Sequence, residues 1–161
     1  MKRISSTLSG VAGEYFVAAE LSRRGFVASL TLRNTRGIDV LASNADATKS
    51  VGIQVKTAQV ALKKDQRYGG AHWMLNVKAE TDRGSHLFYV FVVLPEQGEP
   101  SYHVVPSADV AQSVYDSHRL WEKTPGRKGP HSLTNPMRIF TDPKGKYKDR
   151  WDLLGLLEEK S

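Results

Sequence analysis

Eight consecutive apolar residues, Leu87-Phe88-Tyr89-Val90-Phe91-Val92-Val93-Leu94, constrain this chain more than any other stretch of it. A strand points successive side chains to opposite faces, so a strand that is apolar on both must be covered on both, by helices or by a partner. The run therefore predicts a central strand in a layered fold. The chain can supply such layers: 161 residues match one domain, and 40% hydrophobic residues with three Trp provide for one core.

The elements around this strand are read from spacing and punctuation. Ser9 can cap a helix from about Gly10 to Arg24, with Gly25 as its stop. Thr7, Val11, Glu14, Ala18 and Leu21 recur at intervals of three and four, which sets the carboxylate of Glu14 in an apolar stripe. Glu20 has Arg23 and Arg24 one turn on and reads as a surface ion pair. Strands are predicted over Phe26–Leu32, Ile38–Ala42, Val51–Thr57, His72–Val77 and Tyr102–Val105, with a polar loop over Ser43–Ser50. In Val51–Thr57 the alternation is clean: Val51, Ile53 and Val55 take one face, Gly52, Gln54 and Lys56 the other. A second helix starts at Pro106-Ser107, with Ser107 as cap, and runs to about Glu122. The Pro- and Gly-rich segment of about 124–149 reads as irregular basic chain, followed by a short terminal helix from Arg150 to Glu159 that can dock Trp151, Leu154 and Leu157. The expected architecture is α/β, a single domain over 1–161, with a mixed sheet of four to five strands sandwiched between helices.

Composition narrows the chemistry. The chain contains no cysteine, which excludes disulfides, thiolate metal sites and Cys nucleophiles and makes a reducing cytoplasm the simplest expected compartment. Lys2 and Arg3 imitate the start of a signal peptide, but Glu14 and Glu20 interrupt the stretch after them, and no membrane partner is expected. The five His are scattered without metal-ligand spacing, and neither a nucleophile elbow nor a phosphate-cradling Gly loop is present. Residues 119–150 hold nine Lys/Arg against Glu122, Asp142 and Asp149, a net +6 that equals the formal charge of the whole chain. Basicity gathered in one segment points to a polyanion such as nucleic acid, or to a merely solvated surface. Lys63, Lys64 and Arg67, beside Tyr68, His72 and Trp73, can likewise hold phosphates and stack on bases, or form an ordinary loop.

Four polar residues interrupt the apolar patterns: Glu14 on the first helix, Asp39 on the second strand, and Gln54 with Lys56 on the third. A hairpin sets the second and third strands side by side, so Asp39 can meet Gln54 and Lys56 on one sheet face, and a helix packed on that face could bring Glu14 over them. Two carboxylates and an amide oxygen suit a hard divalent cation. Each residue also has a structural reading: Glu14 at a boundary, Asp39 finishing a turn, Gln54 and Lys56 on a solvated face.

In order and spacing, Gly13-Glu14, Gly37-Ile38-Asp39-Val40 and Ile53-Gln54-Val55-Lys56 resemble the PD-(D/E)XK nucleases, the restriction-endonuclease-like superfamily that includes archaeal Holliday junction resolvases and Mrr-type enzymes. Ile38 stands where the named motif has proline. Gln54 replaces the acid, as in the QxK variant of Mrr-type enzymes. The resemblance implies a restriction-endonuclease-like three-layer sandwich and a Mg²⁺- or Mn²⁺-dependent endonuclease cutting DNA, branched DNA included. Asp39, Gln54 and Glu14 are its implied metal ligands, Lys56 its catalytic lysine, and a homodimer a common assembly. No small-molecule cofactor is expected. Lys63, Lys64, Arg67, Arg127, Lys128, Lys144, Lys146 and Lys148 are the expected DNA contacts. The alternative is a weak or inactive nuclease-fold chain that serves as a DNA-binding or assembly module.

Overall fold

The computed structural model describes residues 4–32, 37–60, 71–126, 129, 131 and 134–157. Helix α1 (Ser6–Arg23) is followed by strands β1 (Val27–Leu30), β2 (Val40–Ser43), β3 (Ser50–Val60) and β4 (His72–Asn76). After a 3₁₀ turn at Val77–Glu80 come β5 (Leu87–Pro95), β6 (Ser101–Pro106), α2 (Ser107–Lys123) and β7 (Met137–Thr141), and a second 3₁₀ turn occupies Trp151–Leu154. Five strands form one mixed sheet in the order β1-β2-β3-β5-β6, in which β3 and β5 run parallel and the other neighbours antiparallel. Strands β4 and β7 form a separate antiparallel pair.

Both faces of β5 are covered, as its apolar run requires. On one face Phe88, Val90 and Val92 join Val40, Ile53, Val55 and Val104 under Val17 and Leu21 of α1, with Trp151, Leu154 and Leu156 closing the layer. On the other, Tyr89, Phe91 and Val105 pack against Val110 and Val114 of α2 and against Trp73 and Phe140 of the β4–β7 pair. The rings of Phe91 and Phe140 stack with centroids 4.3 Å apart. The mixed five-stranded sheet between helical layers agrees with the expected α/β sandwich.

Four local expectations are corrected. Helix α1 begins at Ser6, because Ser5, not Ser9, is the cap: its hydroxyl accepts the Leu8 N–H, while Ser9 is buried and donates to the Ser6 carbonyl. Ser107 does not cap α2; the N-cap is Pro106, and the Ser107 hydroxyl donates to the Gly84 carbonyl at 2.9 Å. The terminal helix is shortened to the turn Trp151–Leu154, since Gly155 takes a left-handed φ of 66° that ends it. The segment 124–149 is not irregular throughout: Met137–Thr141 is strand β7, which buries Arg138 and Phe140 against β4.

Asp142 ties the chain after β7 to the sheet. Its carboxylate lies 2.8 Å from His103 Nδ1 and accepts the backbone N–H groups of Lys146 and Tyr147. Burial pushes its pKa up, but these hydrogen bonds outweigh it and hold the carboxyl below its ordinary value. Residues 147–149 then pair along β6, with Val104 N–H donating to Tyr147 O and Asp149 N–H to Tyr102 O, each at 2.9 Å.

Candidate functional site

The candidate site starts where β2 and β3 part. Val40 pairs with Ile53, yet the Asp39 N–H also donates to the Ile53 carbonyl at 2.8 Å, so regular stepping of the ladder stops at Asp39. The Asp39 carboxylate takes over: its Oδ2 accepts the Val55 N–H at 2.7 Å. From just beyond β1, Thr31 donates its N–H to the Asp39 carbonyl at 3.0 Å and its hydroxyl to the Ile38 carbonyl. Residue 39 is thus held through its backbone and one carboxylate oxygen. Its Oδ1 has no protein partner among the described residues.

Gln54 and Lys56 alternate with the buried Val51, Ile53 and Val55 and so point to the face away from α1. Both are half-buried, and among the described residues neither side chain makes a hydrogen bond or ion pair. Across the parallel pair Gln54 neighbours Tyr89 and Lys56 neighbours Phe91. Tyr89 is buried, and desolvation, aided by the charge of Asp82, pushes its phenol up to about 12, so that it stays protonated. A carboxamide and an ammonium, partly out of water and without partners, form a polar patch that a ligand would complete.

Glu14 is placed differently from the sequence expectation. Helix α1 packs on the face of Val51, Ile53, Val55 and Thr57, opposite Gln54 and Lys56, so Glu14 does not lie over their face. The reason is Gly13, which sits so close to Thr57 that an added Cβ would overlap Thr57 Oγ1. Glu14 is half-buried beside this contact and already engaged. Among the described residues no three His, Cys, Asp or Glu side chains are grouped to share a metal ion. Ile38, Leu41 and Gly52 open onto a groove of about 1000 Å³ whose lining continues through His86, Leu153 and Leu156 but includes none of Asp39, Gln54 and Lys56.

The expected DNA contacts divide. Lys63, Lys64, Arg67, Arg127 and Lys128 lie outside the described residues, as does Tyr68. Lys144, Lys146 and Lys148 are exposed, and Lys148 bridges to His103 on β6, the edge strand two places beyond β3. Part of the basicity of residues 119–150 is internal: Arg119 pairs with Glu122, Arg150 with Asp152, and the buried Arg138 with Glu80. Trp73 does not face solvent to stack on bases. It is 3% exposed, and its Nε1 donates to the Val92 carbonyl at 3.0 Å.

Thr31, the Val55 N–H and the Gly13–Thr57 contact escape a reading of sequence, since each acts across elements distant along the chain. The nearest signal is Gly13 directly before the out-of-pattern Glu14.

No protein-family model matches the chain, and no curated protein matches it. The arrangement, a mixed five-stranded sheet between helices, is an α/β fold also found in nucleases of solved structure. Two solved structures share it. One is Hjc, a Holliday junction resolvase from the archaeal hyperthermophile Archaeoglobus fulgidus, 14% identical with a TM-score of 0.50 over 93% of this chain and 98% of that one. The other is the bacterial homing endonuclease I-Ssp6803I, 16% identical with a TM-score of 0.55 over 95% of this chain and 94% of that one. At such identities the likeness is one of fold. Among the described residues no helix is long and apolar enough to cross a membrane.

Proposed function

We propose that this chain is a divalent-metal-dependent DNA endonuclease with a QxK form of the nuclease motif. The observation that carries the reading is the unpartnered, half-buried pair Gln54 and Lys56 beside a carboxylate held in place by the Val55 N–H. The solved structures of like fold are a resolvase and a homing endonuclease, which supports DNA as the substrate class.

The donors fit a hard cation. Asp39 Oδ1 and Gln54 Oε1 are the oxygen ligands proposed, and Glu14, carried by α1 on the opposite face of the sheet, is not among them. One full charge between the two suits an ion that keeps several waters. When bound, Mg²⁺ or Mn²⁺ would polarise the scissile phosphate and acidify a water. The chain's own groups do the rest. The Val55 N–H fixes the Asp39 carboxylate before substrate arrives, so little reorganisation remains to be made. Lys56, free of any acidic partner among the described residues, brings a positive charge and three donors to the phosphate or to the attacking water. The Gln54 amide can offer an N–H or an oxygen, but no charge.

The test is incubation of the purified protein with linear, supercoiled, single-stranded and four-way-junction DNA. Cutting or nicking is expected with Mg²⁺ or Mn²⁺ and none with EDTA. Absence of metal-stimulated cleavage on every substrate overturns the enzyme reading in favour of a non-cutting DNA-binding module. Such a module is the second reading, and the missing charge at Gln54 favours it.

DNA affinity is proposed to come from Lys144, Lys146 and Lys148 together with Lys63, Lys64, Arg67, Arg127 and Lys128. Replacing Lys144, Lys146 and Lys148 by Gln should flatten the slope of log K against log salt, by about 0.9 for each phosphate no longer neutralised. Fluorescence anisotropy on a labelled duplex measures this, and an unchanged slope removes these three lysines from the interface.

A further inference from the structure

The groove beside the candidate site is used by none of the residues placed in the chemistry. Ile38 forms its near end, one residue and so about 3.8 Å along the backbone from Asp39. The Ile38 side chain lies over Gly52, where an added Cβ would meet its Cδ1 at 3.0 Å, so the missing side chain at position 52 lets Ile38 rest on β3. From there an apolar floor continues through Leu41, Leu87 and Leu153, and Leu41 is 49% exposed. The rim is polar and exposed, with Lys49, His86 and three hydroxyl side chains. Among the described residues that line the groove there is no carboxylate, and Lys49 is its one permanent charge. Asp152, next to Leu153, is paired with Arg150. At about 1000 Å³ the groove lies at the upper end of the range for ligand pockets.

We propose that this groove takes an unpaired nucleotide of the DNA whose scissile phosphate lies at Asp39. The choice of DNA rests on the nuclease reading, whereas the unpaired state is argued from the groove itself. Its occupant must cover leucine and isoleucine side chains and also bring negative charge to a rim that holds a lysine and no acid. A nucleotide does both. The base lies against Ile38, Leu41, Leu87 and Leu153, and its phosphate meets Lys49 and the rim hydroxyls. A fully paired duplex fits this lining poorly. Its bases are stacked inside, and it would press charged phosphates against leucines with a single lysine to answer them. An unpaired base has its faces free, and apolar side chains can cover them. Drawing a base out of an intact duplex costs unstacking and unpairing, and the cost is least where the base is already unpaired. The groove therefore selects DNA with an unpaired nucleotide beside the bond to be cut.

Fluorescence anisotropy in EDTA measures binding of the full chain to a labelled duplex, to the same duplex with one extra unpaired thymidine, and to oligothymidylate. The wild-type chain should hold the bulged duplex about fivefold tighter than the matched one, the low end for covering one base, since aliphatic side chains and not exposed rings form the floor. Leu41→Ser removes part of that floor and should bring the two affinities within about twofold of each other. Lys49→Gln should flatten the slope of log K against log salt for oligothymidylate by about 0.7, the value for one phosphate of a single strand. Both substitutions fall on exposed positions, and circular dichroism and urea midpoints matching wild type certify each variant as folded. Equal wild-type affinity for bulged and matched duplex overturns the proposal. So does a folded Leu41→Ser variant that keeps the preference, or an unchanged Lys49→Gln slope, either of which gives the groove to an occupant other than DNA. Because binding is read without metal, the two readings fail separately. A bulge preference without metal-stimulated cleavage of any DNA supports the groove and removes the enzyme, and cleavage without the preference does the reverse.

Discussion

Asp39→Asn should leave the fold intact and cut metal-dependent DNA cleavage by at least about 10²-fold, the scale of losing one group that stabilises charge in a transition state. The substitution is close to isosteric. An asparagine oxygen can still accept the Val55 N–H, the bond that closes the ladder where β2 and β3 part. What disappears is the negative charge on the oxygen turned away from Val55, which the proposed mechanism assigns to the metal. Asp39→Ala is the weaker experiment, because it also strands the Val55 N–H. Cleavage should be followed on supercoiled plasmid across a titration of Mn²⁺, with urea unfolding of both proteins alongside. Cleavage by the Asp39→Asn variant within a few-fold of wild type at every metal concentration would place Asp39 outside the chemistry. A large drop in the urea midpoint would make it structural.

Gly13→Ala should destabilise the protein by about 1–3 kcal/mol, the cost of forcing extra volume into a packed contact, although alanine is the better helix former. The obstacle is a single atom. The added Cβ would overlap Thr57 Oγ1 and lie 3.2 Å from the Thr57 Cβ. That hydroxyl is buried and has no hydrogen-bond partner, so removing it alone should cost little. Thr57→Ala in the Gly13→Ala background should therefore restore most of the lost stability, a coupling read from the four urea midpoints of a double-mutant cycle. Additive effects would show that the two residues do not meet. Because Glu14 follows Gly13 on α1, the same cycle run in the cleavage assay reports whether the position of α1 matters to activity.

Much of this architecture was legible because it is local. The two-faced apolar run of β5 demands cover on both sides, and the alternation of β3 sorts Gln54 and Lys56 from Ile53 and Val55 without any knowledge of what packs where. The pairing of β2 with β3 also follows from their proximity along the chain. Other features depend on which distant element arrives. Residues 137–141 are a strand because β4 supplies their ladder, and Arg138 can be buried because Glu80 meets it there. Trp73 is core because the Val92 carbonyl stands ready for its indole N–H.

The candidate site divides in the same way. By itself the sequence determined the order of Glu14, Asp39, Gln54 and Lys56 and the shared face of the last two, since side-chain direction in a strand is set every second residue. Only the tertiary structure decided that α1 covers the opposite face, because Gly13 and Thr57 permit a close approach there. It also decided that Asp39 is held by Thr31 and the Val55 N–H, and that Ile38 and Leu153 line one groove. A residue's periodicity records which way it points relative to its own neighbours. What it points at is settled by loop closure and packing between elements far apart in the chain, and those free energies are not written in any local pattern.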